Sequence, residues 1–249
     1  MPPRQIDSDE CRYDGDTYAD VYDDWYDSRL DTAAAVAFLK ELAPSGRALE
    51  LGVGTGRIAV PLAAEGLDVT GVDTSPLMLK RLTDKGGTVT GVQADMVCVD
   101  LPGSFDLIYV AFSSLFLLDS QDAQVACFAR MARLLSPGGR VVVEAFVPDA
   151  TRYRQDQNVS LEDMAAGSVR FELAEHDPVE QVIRATRVHI GDSGIRLFPY
   201  RLRYATPSEL DLMARLCGLR LAGRVGGYDR RPFTRDSRSH VSVYRSDDA

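Results

Sequence analysis

The 249-residue chain contains no run of 18 apolar residues, so no membrane-spanning helix is expected. Its first 20 residues, MPPRQIDSDECRYDGDTYAD, are acidic and lack an apolar stretch, which argues against a secretory signal. Cysteine is sparse. Cys11, Cys98, Cys127 and Cys217 are scattered, with neither a CxxC pair nor a metal-ligand spacing, so free thiols in a cytoplasmic protein are expected and no metal site is. Positive charge is also short. With 28 Lys and Arg against 37 Asp and Glu the formal net charge is −9, which provides no basic field for nucleic acid and no polybasic segment for a membrane surface. Arg224, Arg230, Arg231, Arg235 and Arg238 gather near the C-terminus, but Asp229 and Asp236 interrupt them, as in a salt-bridged loop. A 45% hydrophobic content suffices for a sizeable core in one large domain or two small ones.

The informative stretch is Leu49-Glu50-Leu51-Gly52-Val53-Gly54-Thr55-Gly56-Arg57. A strand over 48–51 leads into it and a helix-like run over 58–64 follows, the geometry in which a backbone closely approaches a nucleotide. Without Cβ atoms, Gly52, Gly54 and Gly56 are free to take positive φ and admit a ligand against the main chain. Arg57 stands where a dinucleotide fingerprint has its third glycine. Glu50 lies two residues before the first glycine, where a carboxylate attracts a cationic cofactor and repels a pyrophosphate. The stretch resembles motif I of the class I S-adenosylmethionine (SAM) methyltransferases.

The following strands carry the pattern onward. Residues 67–73 read as a strand ending in Asp73, roughly 20 residues beyond the first glycine, the spacing at which a carboxylate meets ribose hydroxyls. Thr74-Ser75-Pro76 opens a helix, with Ser75 as N-cap and Pro76 at N1. The resemblance implies that residues here flank the adenine, which singles out Thr74 and Met78; a core methionine is the alternative for Met78. A third strand, 89–93, leads to Asp95 and Met96, where the family receives the adenine amino group and ring. A fourth, 105–110, leads to Phe112 and Ser113, the cofactor side of the family's site. A helix over 121–135 with 3.6-residue apolar periodicity is core, and Ser136-Pro137-Gly138-Gly139 precedes a fifth strand over 140–146. Glu144, mid-strand, is an unusual charge that either approaches the substrate or pairs with an arginine.

Outside this central part the likeness is one of layout. Tyr18 to Tyr26 is dense in aromatics and acids and resembles the opening of the sugar N,N-dimethyltransferases of macrolide biosynthesis, in which a tyrosine lies beside the methionine end of the cofactor; Tyr22 is the matching residue. The alternative is a helix that simply packs its aromatics on the domain. Polar–apolar alternation over 169–173, 181–190 and 195–204 reads as an antiparallel meander capping the substrate pocket or forming a dimer interface. Arg201 and Arg203 on one face of it would suit an anionic substrate, or a solvated surface. His176, before the turn at Asp177-Pro178, is a candidate base, whereas His189 and His240 read as structural. SAM chemistry depends chiefly on positioning, worth roughly 7–11 kcal/mol against about 10²–10⁴-fold for a general base, so a base is dispensable for a neutral amine.

The expected fold is therefore α/β: a Rossmann-like, doubly wound, mostly parallel seven-stranded sheet. An N-terminal helical lid over 1–43 precedes a SAM-binding domain over 44–249, with the meander inserted over about 166–205. The expected activity is methyl transfer from SAM to a small-molecule N or O acceptor in specialised metabolism, by a monomer or homodimer, with His176 and Tyr22 as catalytic candidates. A SAM-fold enzyme catalysing another reaction, such as cyclisation, and a non-catalytic SAM-binding protein are the alternatives.

Overall fold

Apolar strands alternate with capped helices in the computed structural model, which describes residues 13–26 and 31–247. Two short helices, α1 (Gly15–Tyr18) and α2 (Tyr22–Tyr26), precede α3 (Thr32–Leu42). The α/β alternation follows as β1 (Arg47–Leu51), α4 (Ala59–Ala64), β2 (Asp68–Asp73), α5 (Pro76–Asp84), β3 (Thr90–Gln93), β4 (Phe105–Val110), α6 (Gln121–Leu134) and β5 (Leu135–Phe146). Four strands come next, β6 (Gln157–Ala165), β7 (Ser168–Asp177), β8 (Val182–Gly191) and β9 (Gly194–Arg203), and then α7 (Pro207–Leu216), β10 (Leu219–Val225) and β11 (Ser239–Ser246).

The main sheet has seven strands in the order β10-β11-β5-β4-β1-β2-β3. β1 to β5 are mutually parallel, while β11 runs antiparallel to β5 and to β10. Helices cover both faces, and the central strands are buried accordingly: Leu49, Leu51, Leu107, Ile108, Tyr109, Val141, Val142 and Val143 are fully enclosed, divided between two apolar clusters, one on each side. Local chemistry sets the helix starts. Asp31, Ser75, Ser120 and Thr206 each accept an amide from the first turn of α3, α5, α6 and α7, worth ~1 kcal/mol apiece, and Pro76 and Pro207 occupy the first turns of α5 and α7.

The second sheet is antiparallel, in the order β6-β7-β8-β9. Its first strand, beginning at Gln157, is an element that the periodicity over 169–204 did not reveal; Val159, Leu161 and Met164 alternate there, but with their apolar side to solvent. The aromatic-rich N-terminal stretch is also not one helix, because a turn at 19–21 separates α1 from α2.

Arg203 corrects an expectation. It does not present a cation to a ligand: it is buried at the end of β9, where its guanidinium donates to Gln124 (2.8 Å), Gln181 (2.9 Å) and Glu209 (2.7 Å), and its carbonyl accepts from Gln124 (2.6 Å). Arg201 pairs with Asp119 (3.2 Å). The pairing around Arg203 clamps the end of the second sheet to α6 and α7. Removing one partner of a buried pair strands the other charge at a cost of about 3–5 kcal/mol. Arg203→Ala is expected to lower unfolding stability by that order in urea titration, whereas Arg201→Ala, at the more exposed pair, shifts the midpoint little.

Candidate active site

The carboxyl ends of the parallel strands open on one edge, and the residues singled out by motif collect there. The turn after β1 is built on positive φ at Gly52 (78°), Gly54 (54°) and Gly56 (81°). These glycines serve different needs. A Cβ on Gly56 would fall 2.3 Å from Leu82, so this glycine permits α5 to pack; the space above Gly54 is empty to 4 Å and belongs to whatever the turn receives. Gly52 and Val53 both donate their amides to the Val72 carbonyl, at 2.8 and 2.9 Å. Asp73 then accepts from Gly54 N (2.8 Å) and from Ser75 N (2.9 Å), fixing the turns after β1 and β2 to one carboxylate.

Two acids here are held above their ordinary range by burial. Glu50, enclosed in β1, accepts a hydrogen bond from Tyr109 (2.9 Å), yet loss of solvent still pushes its carboxyl up to about 8. Burial raises Asp73 as well, opposed by the amides of Ser75 and Gly54. Asp95, after β3, caps its own turn by accepting from Val97 N (2.8 Å), and Met96 is partly buried beside it. Thr74 is exposed and lines a crevice with Tyr13, Asp16 and Ser75. Met78 is a core residue in this structure, 1% exposed among Tyr18, Trp25, Tyr26 and Phe198, which is the packing alternative for it.

Among the described residues Glu144 forms no ion pair with an arginine. Its carboxylate accepts the amide of Phe112 (2.8 Å), and its carbonyl accepts that of Ser113 (3.1 Å). Both Phe112 (φ 52°) and Ser113 (φ 62°) are left-handed, a conformation that costs a non-glycine residue of order 1–3 kcal/mol and persists only when its surroundings hold it. Those two bonds hold it, and they set the Phe112 ring against Tyr26, 5.1 Å between centroids.

Beyond this loop lies a cavity of ≈ 330 Å³. It is walled by Tyr13, Tyr18, Tyr22 and Tyr26 from the N-terminal segment, by Phe112–Leu117, by the stretch after β5, and by Glu172, His176, Arg187, Tyr200 and Tyr204 from the second sheet. Tyr22 is half-buried in this wall, its ring 4.8 Å from that of Tyr26, and burial holds its phenol above the ordinary value. His176 is buried, stacked on Tyr153 (4.5 Å), with Nε2 2.8 Å from the Tyr204 hydroxyl. His189 bonds Ser168 (3.1 Å), and His240 bonds Ser242 (2.9 Å) inside the core, where burial lowers it to about 4.

The sequence reading missed an inward cluster. Tyr200 donates to Glu172, Arg187 pairs with Glu172 (3.5 Å) and Glu162 (2.7 Å), and Arg170 pairs with Glu162 (3.0 Å). It also missed the acids that fasten the N-terminal helices: Asp16 accepts from Ser75 Oγ and Leu77 N, Asp23 from Thr55 Oγ1 and Lys85 Nζ, and Asp20 pairs with Arg196 of β9. Among the described residues no group of three His, Cys, Asp or Glu could hold a metal ion, and no helix is long and apolar enough to cross a membrane.

A Rossmann-like sheet with a glycine turn, a buried acid beneath it and an acid at the end of β2 defines a nucleotide-cofactor site of the SAM-binding class. The sequence profile of the methyltransferase domain matches residues 48–139. The CcbJ methyltransferase from Streptomyces caelestis is 41% identical, with 93% of this chain and 97% of that one covered and a TM-score of 0.89. The cypemycin N-terminal methyltransferase of a Streptomyces species is 29% identical over 95% of this chain and 98% of its own. At the level of fold alone, SAM-bound CalS10, an amino pentose methyltransferase from Micromonospora echinaspora, superposes with a TM-score of 0.68 at 23% identity, covering 89% of this chain and 92% of that one. The chain belongs to the methyltransferase-domain family and is an S-adenosylmethionine-dependent methyltransferase. Methyl transfer thereby displaces cyclisation and mere cofactor binding as the reading of the fold.

The raised Glu50 carboxyl makes a stability prediction. Its folded pKa of about 8 exceeds the ordinary 4.5, so the folded protein holds a proton that the unfolded chain releases, and the associated stability disappears as pH rises through that interval. In cofactor-free protein, wild type is expected to lose stability relative to Glu50→Gln between pH 4.5 and 8, read from paired thermal melts; a constant difference across that range removes the assignment.

Proposed function

We propose that this enzyme methylates an amine nitrogen of a small molecule in specialised metabolism. The carrying observation is the lining of the cavity: seven tyrosines, no lysine, and an acid–base cluster already paired with itself. Burial raises the pKa of Tyr13, Tyr18, Tyr22, Tyr26 and Tyr200, so these phenols are neutral donors rather than bases. The Nε2 of His176 is engaged by Tyr204. An alcohol must lose its proton as it attacks, whereas a neutral amine attacks with its lone pair and needs orientation above all. The end-to-end likeness to an N-terminal methyltransferase supports nitrogen. The acidic balance and the enclosed cavity support a small acceptor rather than nucleic acid or a membrane, and the enzyme works in the cytoplasm.

The open space above Gly54, two buried carboxylates and the ring of aromatic groups fit a cationic nucleoside cofactor. SAM supplies a methyl group already activated on sulfonium. Glu50 and the turn at Gly52, Gly54 and Gly56 hold its amino-acid end, Asp73 its ribose, and Thr74, Asp95, Met96 and Phe112 flank its adenine. Tyr22 bounds the methyl-donor end, where an aromatic face contributes about 0.5–2 kcal/mol to a cation. His176 positions the acceptor through the Tyr204 pair. Of the expected lid over 1–43, residues 1–12 and 27–30 lie outside the described residues; the described part closes over the site, with Asp16 fastened to the turn after β2, Asp23 to the glycine turn and Asp20 to β9.

The decisive experiment offers matched amine and alcohol acceptors with methyl-labelled SAM. Label on nitrogen is expected, and label on oxygen overturns the reading. Asp73→Ala is expected to weaken SAM binding in calorimetry at least tenfold, because each charge-assisted hydrogen bond it removes is worth about 1.5–3 kcal/mol and about 1.4 kcal/mol gives that factor. Unchanged affinity with an intact circular dichroism spectrum refutes the ribose role. The Asp16→Ala/Asp23→Ala double variant releases the lid from both turns and is expected to raise KM for SAM about tenfold while the melting temperature moves by only a few degrees. An unaltered KM means these contacts do not close the site.

A further inference from the structure

The second sheet is inverted relative to a solvated cap: Glu172 and Arg187 line the cavity, while Leu161 and Leu197 stand exposed. Residues in direct register share a face, as do residues two apart along a strand. Glu172, Ala174 and His176 of β7 therefore share the cavity face, and the row through the middle one is Ala174–Ala185–Tyr200. Two alanines keep the floor low between Glu172 and His176, and Tyr200 reaches back across it to donate to Glu172. That carboxylate is engaged on one oxygen only. Tyr200 donates to Oε2, and Arg187 stands 3.5 Å from the same atom. Among the described residues no group bonds Oε1, and the side chain keeps 16% of its surface open where it lines the cavity. Its charge also reaches the opposite wall. The Tyr26 phenol, raised chiefly by burial, is influenced by Arg187, Glu162, Arg170 and Glu172, and its ring is the one that meets Tyr22 and Phe112.

We propose that Glu172 Oε1 accepts an N–H of the acceptor amine and so orients its nitrogen for transfer; this rests on nitrogen being the acceptor atom. Arg187 already matches the Glu172 charge, so Oε1 offers lone pairs rather than an unpaired charge, which suits a neutral amine. With one N–H held at the sheet, the nitrogen lone pair is turned away from the sheet and into the cavity, which Tyr22 and Tyr26 bound on the cofactor side. That pair forms the N–CH₃ bond as the S–CH₃ bond breaks and sulfur keeps its electrons. The product leaves as an N-methylammonium, whose proton passes to bulk water, so the protein need not take it. The N–H becomes a stronger donor as nitrogen acquires charge, so its bond to a carboxylate is strongest in the transition state, where binding raises the rate. A tertiary amine has no N–H to offer. Methylation therefore stops at the tertiary amine, and no quaternary ammonium forms.

Ligand-observed NMR on the full chain saturated with S-adenosylhomocysteine tests it. The probes are aniline, an uncharged N–H donor, and N,N-dimethylaniline, which has none. In Glu172→Gln the amide oxygen stays with the Tyr200 hydroxyl and the NH₂ turns to the cavity, while Arg187 keeps Glu162 at 2.7 Å and is not stranded. Aniline is expected to bind wild type, and its affinity relative to N,N-dimethylaniline is expected to fall at least about tenfold in the variant, the loss of one hydrogen bond to a charged group. SAM affinity by calorimetry stays unchanged, whereas a general loosening of the wall would lower it too. Should the variant fail to fold, wild type decides alone, with a preference for aniline of at least about tenfold expected. Aniline that does not bind wild type, two probes that bind wild type alike, or a ratio that Glu172→Gln leaves unchanged overturns the proposal. Label on oxygen in the acceptor experiment sinks the nitrogen reading and this one with it; label on nitrogen with an unchanged ratio sinks this one alone.

Discussion

One carboxylate joins the two turns on which the cofactor site depends. By accepting Gly54 N and Ser75 N, Asp73 binds the glycine turn to the start of α5, and the paired amides of Gly52 and Val53 on Val72 extend the β1–β2 register past the last residue of the strand. The N-terminal helical segment grips these same two turns, Asp16 on Ser75 and Asp23 on Thr55. The N-terminal segment is therefore placed by the same local structure that shapes the floor of the site. Displacing Asp73 would loosen floor and cover together.

Electrostatics give that floor its preference. Glu50, Asp73 and Glu144 are all raised from their ordinary values because burial disfavours their charge more than their hydrogen bonds restore it. Such groups gain from a neighbouring cation, which restores the ionised state in a medium where Coulomb attraction is poorly screened. Glu144 has a second task, holding Phe112 and Ser113 left-handed, and this couples the end of β5 to the aromatic wall through the Phe112–Tyr26 contact.

The central part was legible because its signals are local. Positive-φ glycines, an acid at a strand end and Ser75-Pro76 at a helix start each act within a few residues, and the motif's resemblance to class I methyltransferases supplied their common meaning. The second sheet was not legible in the same way. Period two divides residues between faces but does not say which face is covered. Without knowledge of which face was covered, the alternation passed over Glu172, Arg187 and β6 and left Arg203 to a substrate or to solvent, which its partners Gln124, Gln181 and Glu209 deny it. Met78 shows the same limit within the motif region: its position relative to Asp73 fits a cofactor contact, while packing against Phe198, 120 residues away in sequence, places it in the core.

The inverted sheet also explains how a charged wall is compatible with an uncharged acceptor. Burying Glu162, Glu172, Arg170 and Arg187 singly would cost several kcal/mol each, but as a chain of pairs closed by Tyr200 they satisfy one another. The wall is consequently polar and ordered while leaving these charges neutralised. An ammonium entering the cavity would give up its water without acquiring a free counter-charge from this cluster, whereas a neutral amine gives up less and retains the lone pair needed for transfer. For the proposed amine acceptor, the pairing that makes the sheet stable would thereby favour the protonation state in which nitrogen is reactive.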